Sequence, residues 1–410
     1  VGGYQGSPIS HLMDVLADAK DVLDELGVHF ESSASEAAAA AMLSASVMYP
    51  LRGAVTWKST AGTNVASDAL TNLSSSGVNG GALIIVGEDF GEGSSIPQER
   101  THAFAMKSQM WMLDPRPNLP SMVDAVETGF ELSEASNTPV ILQVRIRACH
   151  VHGQFTTKAN RAPRYTMQEA LQNPQRDLNR IVLPPASYMQ DKQKLNERWP
   201  AAVKFVKERR LNEWFGPDEG EVGIILQGGM YNSLIRALQY LGLADVYGDS
   251  KIPLYVMNVT YPLIDDEVAK FCAGKRAVLM VEEGHPEYLE QAVNTILRRR
   301  DINARLEGKG MLPLGGDYTA DVLTKGVETF LEAHAKPLLG NRSPMPTAAG
   351  VLSNPKVKAL ADVVPQRPAG FCTGCPERPI FAAMKLVEQE LGPHQISSDI
   401  GCHLFSILPP

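Results

Sequence analysis

Short apolar runs alternate along this chain with longer stretches whose apolar residues recur every three to four positions, and that alternation leaves few folds open. Strand-like runs fall at residues 28–30, 54–57, 82–86 and 140–146, with helical stretches at 36–48, 65–74 and 121–135 between them. An earlier helix is expected through Leu12, Val15, Leu16, Ala19, Val22, Leu23 and Leu26, with Gly27 as its terminator. Strands separated by helices build a parallel sheet covered on both faces. The fold expected is α/β and multi-domain, with doubly wound parallel sheets.

A length of 410 residues, at about 100–200 per domain, allows two to four domains. Between residues 151 and 215 the periodicity dissolves into a connector, expected to carry one or two amphipathic helices such as 196–210 and no strands. A second βα series starts at 222–226 and turns at Gly228-Gly229. It continues with helices at 232–241, 265–271 and 286–299 and strands at 253–259 and 277–281. A Pro-rich linker over 337–368 precedes a third unit that opens at Gly370 and is unfinished at residue 410. Val1 stands where a methionine would start a gene and Gly2-Gly3 reads as mid-domain, so the chain is expected to be part of a longer polypeptide, incomplete at both ends.

Composition excludes several classes. Thirty-eight Lys and Arg against 46 Asp and Glu give a net charge of −8, with no basic stripe, so no nucleic-acid surface is expected. Apolar runs stop far short of the roughly 20 residues of a membrane span. Five cysteines do not make a secreted disulfide framework, which points to a soluble, cytoplasmic protein. Three of the five, Cys372, Cys375 and Cys402, crowd into the C-terminal segment, and that suggests a site.

The segment Phe371-Cys372-Thr373-Gly374-Cys375-Pro376-Glu377-Arg378 is the strongest local signal. A Cys-x-x-Cys is read as a redox dithiol, a zinc knuckle or iron–sulfur ligation. The dithiol reading leaves Cys402 unused. Zinc needs His403 as fourth ligand, yet neighbouring side chains on a strand point apart. A [4Fe–4S] cluster needs four thiolates, of which three are present. Cys149 and Cys272 adjoin apolar segments and are expected as buried core thiols. Gly2 to Ser10 offers glycines, hydroxyls and a following helix that could face an anion, although Ser before a helix is also plain capping. Glu36 has two readings: a capping box with Ser33, or a buried acid that bonds a ring nitrogen of a cofactor. Residues 57–64 and 87–95 each follow a strand, and so lie where open α/β sheets bind ligands. His150 and His152 are expected at the surface.

Taken together, these residues resemble the thiamine-diphosphate-dependent 2-oxoacid:ferredoxin oxidoreductases, most closely the large subunit of the indolepyruvate type. The resemblance runs over nearly the whole chain. It implies a transketolase-like arrangement with a pyrimidine-binding domain over 1–155, a connector over 156–220, a transketolase-C-like domain over 221–340, a linker over 341–369, and the start of a diphosphate-binding domain over 370–410. Ser7, in the turn Gly6-Ser7-Pro8-Ile9-Ser10, then falls where a substrate-facing hydroxyl is usual, with Gly6 and Pro8 shaping the cofactor side. Glu36 falls on the glutamate that hydrogen-bonds the aminopyrimidine. Residues 57–64 and the stretch from Glu88-Asp89 to Gln98-Glu99 match further loops of the same domain.

The resemblance also implies that Gly374, Asp399 and Gly401 lie near the diphosphate and its Mg2+, and that Cys372, Cys375 and Cys402 hold the [4Fe–4S] cluster. The fourth thiolate and the Mg2+-binding segment would follow residue 410. Glu377 and His403 depart from the family pattern, which has a histidine and an aromatic at those places. The implied activity is oxidative decarboxylation of a 2-oxo acid, an arylpyruvate such as indolepyruvate, to acyl-CoA and CO2. A cluster suits this because ferredoxins accept the two released electrons singly. Coenzyme A, ferredoxin, a second subunit or fused domain, and a second copy of the chain are the partners implied. Two rivals remain: a non-redox thiamine-diphosphate decarboxylase, and a non-catalytic scaffold with a zinc knuckle.

Overall fold

The computed structural model describes residues 1–91, 98–159, 164–340, 348–364, 371, 375 and 377–397. The chain divides into two compact units, Val1–Met345 and Pro346–Pro410. Among the described residues of the first unit lie twelve strands: β1 (Gly2–Gly3), β2 (Glu31–Ser32), β3 (Gly53–Lys58), β4 (Ala82–Glu88), β5 (Trp111–Leu113), β6 (Val140–Arg145), β7 (Glu213–Phe215), β8 (Val222–Gln227), β9 (Leu254–Met257), β10 (Val259–Tyr261), β11 (Ala277–Val281) and β12 (Arg305–Glu307).

They form a seven-stranded sheet in the order β10-β5-β6-β4-β3-β1-β2 and a five-stranded sheet in the order β12-β11-β8-β9-β7. All pairs are parallel except those made by the edge strands β10 and β7. Each sheet is covered on both faces, as runs buried throughout require. In β4, Ala82, Ile84 and Val86 pack beneath the helices Glu36–Met42, Ser67–Ser76 and Thr101–Ser108, while Leu83 turns to the face covered by Leu119–Ser136 and Trp199–Arg209. In the second sheet, Ile224 and Leu279 face one core and Ile225 and Val278 the other, the period of two that a pleated strand imposes.

Several expectations need correcting. Residues 28–30 are not a strand; pairing falls on Glu31–Ser32, because β1 offers only Gly2 and Gly3 as partners. The expected helix through Leu12 to Leu26 is two helices, Ser10–Asp18 and Lys20–Glu25, and Gly27 ends the second at φ +72°. The stretch expected to lack strands contains β7, whose Trp214 packs on Tyr255 and Phe271 with ring centroids 5.0 and 5.5 Å apart.

The run at 253–259 is two strands, not one. Asn258 turns the chain between them: its carbonyl accepts from the Asp114 amide at 2.8 Å and its Oδ1 from the Arg116 amide at 3.1 Å. Its Nδ2 donates to Leu211 O and Glu213 Oε2, both at 2.8 Å. The chain therefore leaves the second sheet after Met257 and adds β10 to the first sheet beside β5.

The second unit holds the helix Arg378–Leu391, with Phe371 stacked on Phe381 at 5.4 Å. No described helix is long and apolar enough to cross a membrane.

Candidate functional site

Four parallel strands of the first sheet end side by side, and the polar residues at their carboxyl ends meet there. After β1 the chain turns through Gly6-Ser7-Pro8, with the Ile9 amide donating to Gly6 O at 3.1 Å. Two glycines make that turn possible. A Cβ at Gly6 would lie 2.7 Å from Lys58 Cβ, and one at Gly87 would lie 2.8 Å from Ile9 Cβ and 3.1 Å from Pro8 Cδ. The turn is thus pressed onto the ends of β3 and β4, and Ser7 stays exposed above them.

Glu36 opens the helix Glu36–Met42 and is buried. The expected capping box with Ser33 does not form. Ser35 is the N-cap, extended at φ −163° and ψ 166°, and its Oγ accepts from the Ala38 amide at 3.2 Å. The carboxylate of Glu36 is therefore not committed to that role. Gly62 packs against it: a Cβ there would lie 2.9 Å from Glu36 Cγ and would run into the Trp57 ring. Trp57 Nε1 donates to Thr63 Oγ1 at 3.3 Å, so the turn from β3 into the helix Ser59–Val65 is braced from within. Thr56 Oγ1 and Ser59 Oγ are buried without a partner among the described residues.

Charge accumulates at the same edge. Lys58 Nζ donates to Asp89 Oδ2 at 3.1 Å. Glu88 accepts from the Thr101 amide at 2.9 Å and from Gln143 Nε2, and burial pushes its carboxyl up to about 7 against the opposing pull of Arg145. Cys149, expected as a core thiol, is instead half-buried at the end of the turn Ile146–Cys149. Burial, helped by the Asp89 charge, raises its thiol to about 11. Cys272 is buried as expected, and His150 and His152 do not cluster with other metal-binding side chains.

Just beyond lies an ionic network missed in the sequence, buried except for its Arg147–Asp317 pair. Arg145 pairs with Asp114 at 2.6 Å and with Glu283, Arg100 with Glu282 at 2.6 Å, and Arg147 with Asp317. Burial works against the Arg145 charge, but Asp114 and Glu283 outweigh it and hold it firmly protonated. Gly229 leaves room for the Arg145–Asp114 pair, so the Gly228-Gly229 turn serves packing. His102 stacks on Tyr288 at 5.8 Å, and burial with Arg100 and Arg145 nearby lowers it to about 3. The signal was present in β6, where Gln143 and Arg145 interrupt a run buried on both faces.

The structure brings together Gly6, Ser7 and Pro8 with Lys58 and Asp89, and places Glu36 against Gly62 on the same edge. Cys375 is half-buried in the second unit. Cys372, Gly374, Asp399, Gly401 and Cys402 lie outside the described residues. Among the described residues, no three His, Cys, Asp or Glu side chains are placed to hold a metal ion.

No family model matches the chain. Among curated proteins it is 27% identical over 417 residues to indolepyruvate oxidoreductase subunit IorA of Methanothermobacter thermautotrophicus, covering 99% of this chain and 61% of that one. To the protein of the same name from Pyrococcus abyssi it is 28% identical over 415 residues, covering 99% and 59%. The chain thus spans about three fifths of the length of these relatives. Among solved structures it resembles a 2-oxoglutarate:ferredoxin oxidoreductase from Magnetococcus marinus, with 2-oxoglutarate, coenzyme A and succinyl-CoA bound. That likeness has a TM-score of 0.57 at 17% identity and covers 80% of this chain and 61% of that one. The α/β fold and the family resemblance read from the sequence are both borne out.

Proposed function

We propose that this chain, a relative of indolepyruvate oxidoreductase subunits along nearly its whole length, carries the pyrimidine-binding side of a thiamine-diphosphate site and works in a 2-oxoacid:ferredoxin oxidoreductase. The observation that carries the reading is the buried Glu36 carboxylate at the first helical position, walled by Gly62 and Trp57. A carboxylate in that setting suits the ring nitrogen of an aminopyrimidine, and the unpartnered hydroxyls of Thr56 and Ser59 mark the neighbourhood as one shaped for a polar guest.

When bound, thiamine diphosphate supplies a nucleophilic carbon and an electron sink for decarboxylation. Glu36 would hold the ring-nitrogen proton and set the tautomer of the amino group. Ser7, exposed over the ends of β3 and β4, would face the substrate, with Gly6 and Pro8 shaping the turn. Gly374, Asp399 and Gly401 would bind the diphosphate with its Mg2+, and Cys372, Cys375 and Cys402 would ligate a [4Fe–4S] cluster that passes electrons on. The balanced reaction is 2-oxo acid carboxylate plus coenzyme A thiol plus two oxidised ferredoxins, giving acyl-CoA, CO2, two reduced ferredoxins and one proton. An arylpyruvate is the proposed substrate. A companion subunit or fused domain, and a second copy of the chain, complete the proposed enzyme, placed in the cytoplasm.

The test uses the full-length chain with its companion subunit, purified without oxygen. Glu36→Gln is expected to lower turnover by about a hundredfold or more, the scale of lost proton-transfer catalysis. Calorimetry should show weakened thiamine diphosphate binding with an unchanged melting temperature. About four irons per chain, lost in Cys375→Ser, are expected if electrons leave through the cluster. Thiamine binding without iron would favour the non-redox decarboxylase, and zinc without thiamine binding the scaffold.

A further inference from the structure

A 2-oxo acid is an anion, and a half-buried site that receives one needs a cation with hydrogen-bond donors to spare. The cations at this edge other than Lys58 are each held by two or more partners. Arg145 is committed to Asp114 and Glu283, both buried. Arg100 bonds Glu282 and the Pro286 carbonyl from a side chain only 2% exposed. Arg147 is held by Asp317, Ser233 Oγ and Tyr318 O. Lys309 donates to Glu282 O and to the Tyr318 hydroxyl.

Lys58 differs. Its ammonium has three N–H donors and a single partner among the described residues, Asp89 Oδ2 at 3.1 Å, and its side chain is 20% exposed. It also stands in the right place. The Gly6 backbone lies directly on Lys58, so the turn that presents Ser7 and the root of the ammonium arm share one edge.

We propose that Lys58 takes the carboxylate of the 2-oxo acid, with Asp89 keeping the ammonium aimed. This rests on the functional reading above. Asp89 is buried, so it restrains the long lysine arm at one N–H and leaves the other two for the ligand.

The experiment measures equilibrium binding of 3-phenyllactate, an unreactive 2-hydroxy analogue, and of its carboxamide to the complete thiamine-loaded enzyme by calorimetry. Lys58→Met should weaken the acid by about ten- to hundredfold, the worth of one charge-assisted hydrogen bond, and the amide by less than about twofold. Lys58→Arg should keep most of the affinity for the acid. Lys58→Gln, read in parallel, serves if the Met variant folds poorly. Equal weakening of acid and amide, or of neither, overturns the assignment while an active wild type leaves the 2-oxo acid reading standing. A wild type that binds neither ligand and consumes no 2-oxo acid overturns both.

Discussion

Glycine inside a helix costs about 1 kcal/mol against alanine, yet Gly62 occupies the middle of the helix Ser59–Val65 because its neighbours leave no room for a methyl. Gly62→Ala is therefore expected to lower stability by about 1–3 kcal/mol, the scale of an overpacked core, where helix propensity alone would raise it. It should also weaken thiamine diphosphate binding, since the methyl displaces Glu36. Urea unfolding and calorimetric titration check the two halves. Glu36 itself was visible in the sequence, but its competing role as a capping partner was not dismissible there. Whether the chain enters the helix at Ser33 or at Ser35 depends on the extended backbone at Ser35, which spacing does not encode. The expectation for Cys149 missed for a similar reason. The apolar segment before it ends at Arg145, so the thiol sits on the rim. Arg100 and Arg145 were illegible as a network because Glu282 and Glu283 lie 182 and 138 residues further along the chain.

Among the elements, strand length decided what could be read. β8 and β11 are six and five residues long, largely apolar and recognisable within a residue of their ends. β1, β5, β7, β10 and β12 are two or three residues long and carry no periodicity to detect. The ends of β5, β6 and β11 are joined through Asp114, Arg145 and Glu283, so one guanidinium ties the first sheet to the second. Arg145→Met leaves two buried carboxylates without their cation and is expected to cost about 3–5 kcal/mol. If that tie is what makes the sheets unfold together, the urea transition of the variant should split in two. A single transition at the wild-type midpoint would refute the role.

For the molecule as a whole, acid and base groups in the same network give opposing pH dependences. Glu88 titrates near 7 when folded against an ordinary value of 4.5, so the folded state holds the extra proton between those values and stability falls as pH rises through them. His102 titrates near 3 against 6.5, so the unfolded state holds the extra proton and stability rises with pH over that span. The two cancel in part between pH 4.5 and 6.5. Glu88→Gln should remove the first slope alone, so that its stability relative to wild type improves by about 3 kcal/mol from pH 4.5 to pH 7. Unfolding free energies at the two ends of that range test this, and an unchanged difference would count against a raised Glu88.

The strand exchange at Asn258 has a consequence for synthesis. β5 ends at Leu113 and, among the described residues, its outer edge is covered by β10, which ends at Tyr261. A ribosome adding about 5–20 residues per second needs roughly 7–30 s to make the intervening 148 residues (261 minus 113). Through that interval the nascent first sheet presents an unpaired edge of the kind that invites pairing with a neighbouring chain. The first sheet therefore depends on residues made long after its other strands, and a stall between those codons would leave a sticky fragment.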